Sequence, residues 1–314
     1  MIQLAPLPQF SGVALGQWAE CPLPVRGTDT FHDLYLRVTG QGYGVAGSAL
    51  DIQHAIESIE IAPSGGSVMT VFPRALRLWQ TLRNSNADPS DVSVLAIPLA
   101  RPGLSQVSDW PTGKMDKCLL RVLPKAALPA NSGANPALTL TSISAYSRSE
   151  QLAAPADLGA VQSFHQASHT PVAGWNTIDN LSVGQLRALT KLLFYCPLSG
   201  VNLTNAASNA VTAVMVYRGK ELVYDSTKQI AITELSHNPI YRGYHLGGEA
   251  LEMFPCIFDV TGRPQDSLGL VAGNVRQTLV VKYYWDTGVA AVQGVNILAE
   301  GWLSSGADPV VAAI

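Results

Sequence analysis

Apolar and polar positions alternate along much of the chain in short runs. From His32 to Val38, Leu34, Leu36 and Val38 fall on one face, the period of a half-buried strand. Ile56 to Ile61 and Val68 to Phe72 read as strands on either side of Pro63-Ser-Gly-Gly-Ser67, whose paired glycines supply the positive φ of a hairpin turn. The period then lengthens. Pro73 stands where a first helical residue tolerates proline, Ala75, Leu78, Trp79 and Leu82 share one helical face, and Asn84 to Pro89 stops the helix. Val94 to Leu99, ended by Arg101-Pro-Gly103, and Lys117 to Leu123 are further strands. Leu138 to Tyr146 alternates and is β-branched.

Ser147 to Thr170 carries little strand signal and reads as a connection. Beyond it the same order returns. Val211 to Tyr217 is a strand, Arg218-Gly-Lys220 a turn, and Glu221 to Tyr224 the returning strand. Ser226-Thr-Lys-Gln229 has capping-box spacing and opens a helix through Ile230, Glu234 and Leu235, stopped by Asn238-Pro239. Phe254 to Val260, a turn at Thr261 to Pro264 and Gln277 to Trp285 then match Val94–Leu99, Arg101–Gly103 and Leu138–Tyr146. Leu186 to Tyr195 has two readings. Ser182-Val-Gly-Gln185 and the spacing of Leu186, Leu189 and Leu193 suit a helix, whereas its place in the repeat, opposite His32–Val38, requires a strand, and we take it as a strand. The expected fold is all-β: two tandem eight-stranded jelly rolls, each with a short helix, over residues 1–150 and 171–314 with a linker at 151–170.

Composition narrows the function. Only 14% of residues are charged, against about 25% in ordinary globular chains, and 47% are hydrophobic. Disorder is excluded, since it needs low hydrophobicity and high net charge. A formal charge of −3 with 20 Lys and Arg argues against direct nucleic-acid binding. No apolar run of helical-span length occurs, and no Lys/Arg-led apolar segment opens the chain. So charge-poor a surface is best explained if copies of the chain cover it. Cys21, Cys118, Cys196 and Cys256 form no CxxC pair and read as free thiols.

Candidate chemistry is sparse. His165 and His169 would face one metal only on a helix, and no Glu follows His165 as a base. Asp259 and Asp266 flank a turn containing Gly262 and Pro264. They are candidates for a structural Ca²⁺, set against ordinary turn chemistry in which Asp bonds its own backbone. Gly40-Gln-Gly-Tyr-Gly44 lacks dinucleotide spacing, and no nucleophile elbow or phosphate loop is present. The chain is therefore expected to have no catalytic role and no cofactor. Trp110, in a Pro/Gly loop, is the residue that would serve a carbohydrate- or receptor-binding β-sandwich, the alternative reading.

The order of segments resembles the double jelly-roll major capsid proteins of tailless icosahedral bacteriophages with an internal membrane, corticovirus-like and more distantly tectivirus-like. It spans Phe10 to Pro24, Asp33-Leu34 to Gly40, Ile59-Glu60-Ile61 before the helix Arg74–Arg83, Leu99-Ala-Arg-Pro102, Leu138–Tyr146, Phe258-Asp-Val260, Asp266-Ser-Leu-Gly-Leu270 and Val280–Trp285. The loops 40–50 and 105–114 and the stretch 147–170 are long for that family. The resemblance implies a virion protein assembled in the host bacterial cytoplasm. It implies a homotrimeric, pseudo-hexagonal capsomer tiling a shell around a lipid vesicle. Neighbouring capsomers, penton proteins and minor membrane-associated capsid proteins would be its partners. The apolar start, with Met1, Ile2, Leu4 and Leu7, is expected to be an arm touching membrane or a neighbouring capsomer.

Overall fold

A computed structural model describes residues 2–24, 29–42, 46–63, 69–83, 91–99, 110–111, 117–129, 136–151, 161–197, 210–237, 253–259, 266–272, 275–286 and 294–303. It divides into two compact units. One comprises Met1–Leu76 and Pro89–Gln162, the other Arg77–Asp88 and Ser163–Ile314.

The first unit holds β1 (Ile2–Pro6), β2 (Ala19–Pro22), β3 (Asp29–Thr39), α1 (Ile52–Ala55), β4 (Ile56–Pro63), β5 (Met69–Val71), the start of α2 (Pro73–Arg83), β6 (Val94–Pro98), β7 (Trp110–Pro111), β8 (Cys118–Pro124) and β9 (Ser142–Gln151). One sheet has the order β1-β9-β3-β6, with β7 added to β3, and the other the order β2-β8-β4-β5. The pairings are antiparallel. In β3, Leu34, Leu36 and Val38 are buried while Arg37 and Thr39 are exposed, as the alternation requires. Each such buried aliphatic side chain contributes roughly 1.5–3 kcal/mol. Asp51 caps α1 by accepting from the Gln53 backbone N–H at 2.8 Å.

The second unit holds the rest of α2, β10 (Val161–His169) from Ser163 onward, β11 (Gly174–Ile178), β12 (Ala188–Tyr195), β13 (Val211–Arg218), β14 (Glu221–Thr227), α3 (Lys228–His237), β15 (Met253–Ile257), β16 (Leu268–Gly269), β17 (Val271–Ala272), β18 (Val275–Arg276), β19 (Leu279–Trp285) and β20 (Val295–Leu303). Its sheets run β10-β20-β12-β15, with β16 added to β12, and β11-β19-β13-β14; β17 and β18 form a small ribbon. The first sheet of each unit therefore takes its strands by rank in the order first, eighth, third, sixth. The second takes second, seventh, fourth, fifth, with the short β7 and β16–β18 set aside. This is the jelly roll, made twice, and the fold is the expected one. The turn between β13 and β14 rests on Gly219, whose φ of 60° suits glycine. At Gly301 a Cβ would run into the Ala188 carbonyl of the adjacent strand, so the close approach of β20 to β12 needs glycine.

Several expectations are corrected. Residues 161–169, expected within the linker, form β10, and β9 reaches Gln151, because both complete sheets that need an edge or central partner. Residues 138–141 lie before β9 rather than in it. The counterpart of Gln277–Trp285 is β8, since both sit second in the β11-β19-β13-β14 and β2-β8-β4-β5 sheets. The counterpart of β9 is β20, for which the sequence offered no alternation. Leu186–Tyr195 resolves as strand β12. Ser226 is the penultimate residue of β14 and donates to the Thr227 carbonyl instead of forming the expected cap. Residues 2–6 are not a free arm but the edge strand β1, paired with β9 from Ile2↔Glu150 to Pro6↔Tyr146.

Candidate functional site

The residues singled out for chemistry do not converge. Asp259 is fully buried whereas Asp266 is exposed. Among the described residues no group of three or more His, Cys, Asp and Glu side chains is placed to hold a metal ion. His165 and His169 lie on a strand and are held separately: His165 Nε2 is 3.2 Å from the Ser182 hydroxyl, and His169 Nδ1 is 2.6 Å from the Tyr283 hydroxyl. Burial and the Arg276 charge lower the pKa of His165.

Cys21, Cys118, Cys196 and Cys256 are thiols outside any disulfide. Burial pushes the Cys21 and Cys196 thiols up to about 11 and Cys118 up to about 12, away from nucleophilic thiolate. Met1 lies outside the described residues, as does the side chain of Ile2. Leu4 is 67% exposed on β1, and Leu7 is half-buried with its N–H on the Ala145 carbonyl. Trp110 is buried and donates to the Gln162 carbonyl at 2.9 Å, which removes it as a ligand-facing aromatic. The expected turn at 261–264 lies outside the described residues. Among the described residues no helix is long and apolar enough to cross a membrane.

The sheet surfaces hold what the sequence reading missed. In the second unit, residues alternating with buried Asn176, Val214, Val216, Val281 and Tyr283 point outward. One row runs Trp175, Tyr284, Ala213, Thr227 across β11, β19, β13 and β14, and the next runs Thr177, Lys282, Met215, Asp225. Trp175 is 49% and Tyr284 39% exposed, their rings edge to face at 5.6 Å. Lys282 lies over Tyr217 at 5.5 Å. This face carries two charges across those two rows. The matching sheet of the first unit instead carries Glu20, Arg121 and Glu60 in register on β2, β8 and β4. Arg121 bonds both carboxylates, at 3.2 and 3.0 Å, and lies over Trp18 at 4.7 Å. Each register is a β-sheet property, invisible until the strands are paired.

The second unit also contains a fully buried ion pair. Lys191 on β12 stands opposite Glu300 on β20, with Nζ 2.5 Å from Oε2. The same oxygen accepts from the Trp79 indole N–H at 2.5 Å, and Thr190 donates to the Glu300 carbonyl at 2.9 Å. Trp79 packs edge-on against Phe164, at 5.5 Å. Trp79 groups with the second unit, as does the α2 segment from Arg77 onward. On α3, Ile230 is 54% exposed, while Leu235 is buried.

No family model matches the chain, and no curated protein sequence does. Solved structures do. The major capsid protein P2 of bacteriophage PM2 superposes with a TM-score of 0.67 at 15% identity, over 98% of this chain and 99% of that one. The major capsid protein of Sulfolobus turreted icosahedral virus gives 0.68 at 10% identity over 97% of each chain. The capsid of the PBCV-1 virus gives 0.64 at 9% identity, over 96% of this chain and 93% of that one. The molecule is a double jelly roll of the architecture found in viral major capsid proteins.

Proposed function

We propose that this chain is the major capsid protein of a virus, a structural subunit with no catalytic role. The observation that carries the reading is the duplication itself: one strand order made twice in tandem, matched end to end by capsid proteins. Two similar sandwiches per chain let three chains present six, so a trimer approximates a hexagon and tiles a shell. The low charge and the outward apolar rows of the second roll agree with surfaces covered by further copies. In this reading the capsomers meet one another, penton proteins and minor membrane-associated capsid proteins. They enclose a lipid vesicle and assemble in a bacterial cytoplasm. The exposed Leu4 on β1 is the contact toward membrane or neighbour, in place of a free arm.

The test is solution mass by light scattering together with electron microscopy of the same sample. A species near three times 33.3 kDa with hexagonal outlines is expected. A monomer at low and high concentration, with no particles, overturns the reading. A carbohydrate-binding role would then rest on Trp175 and Tyr284, the exposed aromatic pair, and glycan binding lost in Trp175→Ala would establish it.

A further inference from the structure

The second unit is built from discontinuous chain. Its residues 163–314 are joined by Arg77–Asp88, which in sequence lie between β5 and β6 of the first roll. Arg77, Leu78 and Trp79 of this segment are buried, and Trp79 meets the place in the sheet of β10, β20, β12 and β15 where charge is buried. Lys191 is 0% and Glu300 1% exposed. Ions taken from water are tolerated only when paired and hydrogen-bonded. Lys191 supplies the countercharge. The Trp79 N–H supplies a directed donor to the same carboxylate oxygen, and the indole ring lies 5.8 Å from the ammonium. A purely apolar seat would accept the helix in more than one register. A single N–H on a single carboxylate accepts one.

We propose that Trp79, Glu300 and Lys191 form a polar lock that seats residues 77–83 of α2 in the second roll, and that this roll reaches its native packing only when the segment arrives. The second roll is then not an autonomous folding unit, whatever assembly the chain goes on to make. Trp79 acts here as a positioning residue. Its indole ring fills space, and its N–H chooses the seat.

Hydrogen exchange read by mass spectrometry on the full chain tests this in two ways. In the native protein the amides of 77–83 are expected to exchange in step with β12 and β20, as one cooperative unit. Exchange in step with β3 and β9 instead overturns the proposal, with no variant needed. Trp79→Phe keeps a ring against Phe164 but deletes the donor. It is expected to speed exchange in 77–83, β12 and β20 by roughly ten- to a hundredfold, the loss of a hydrogen bond to a charged group, while β3 and β9 stay protected. Unchanged exchange in β12 and β20, or equal opening of both rolls, overturns it. In the background of Glu300→Leu with Lys191→Met, where no carboxylate remains, Trp79→Phe is expected to add nothing. A further loss of the same size there would show that the indole acts by packing alone and would overturn the lock.

Discussion

The two jelly rolls share a strand order and differ in how their central strands are covered. In the first roll, β3 and β9 alternate: Leu34, Leu36, Val38, Ile143 and Ala145 are buried, and Arg37 and Arg148 reach solvent. In the second, the corresponding β12 and β20 are buried at every position. A strand covered on both faces loses its period of two and becomes a near-continuous apolar run. The polar groups that such a run still carries must then be paired inside, as Lys191 and Glu300 are. The outward sheets differ in the opposite sense. The first roll displays a salt-bridged Glu20–Arg121–Glu60 row, the second the aromatic and aliphatic row of Trp175, Tyr284 and Ala213. One topology therefore tolerates quite different face chemistries, because register and connection lengths fix the roll while each face answers to what covers it.

The largest effect should come from the buried indole. Trp79→Ala is expected to cost about 3–5 kcal/mol, read by urea denaturation, with the loss confined to the second roll's transition. A melting shift below about one degree would contradict the packing seen. Leu36→Ala in β3 is expected to cost about 2–5 kcal/mol in the first roll; if both substitutions lowered one shared transition equally, the rolls would be a single cooperative unit.

Arg121→Ala should cost less, about 0.5–1 kcal/mol, since its ion pairs are partly exposed and screened by water. The loss should shrink in high salt. A salt-independent loss would assign the residue's role to its stacking on Trp18.

Two half-buried amines, one in each roll, respond to pH. Burial lowers Lys228 from 10.5 to about 8, beside Cys196, in the second roll. In the first roll burial also lowers Lys125, with Glu57 and Asp51 opposing. Above about 8 the unfolded chain still holds the Lys228 proton that the folded chain has shed, so stability rises with pH. The thiols act oppositely. With unfolded values near 9.0 and folded values raised to about 11 or 12, they remove stability as pH climbs beyond 9. A urea midpoint that rises from pH 8 to 9 and then falls is expected, with a smaller rise in Lys228→Met. A flat native profile over that interval would sink the assignment.

The smallest effects on stability should be the most informative for assembly. Leu4→Glu and Trp175→Ser change exposed side chains and should alter stability by less than about 0.5 kcal/mol. Each is expected to lower the yield of particles or oligomers, measured by sedimentation. Normal yields from both would remove these residues from the assembly surface.

Much of the fold was legible in residues whose burial is one-sided. Leu34, Leu36 and Val38 announce β3, Pro73 with Ala75 and Leu78 announces α2, and Gly219 announces the turn before β14. Where burial is two-sided the signal fails: Leu186–Tyr195 fitted helix and strand alike, and Val295–Leu303 gave no period at all. The outward aromatic row of the second roll was not legible, since Trp175, Tyr284 and Ala213 are far apart in sequence and meet only through sheet register. Trp79 was correctly read as buried, but its place with the second roll could not be read, because periodicity reports which face of a helix is apolar and not what that face meets. The sequence alone determined that this chain builds two charge-poor β-sandwiches with short helices. Tertiary structure decided which strands are covered twice, which rows face outward, and that a tryptophan from the first half of the chain satisfies a buried carboxylate in the second. Local pattern encodes solvent contact, whereas partnership depends on where the chain returns.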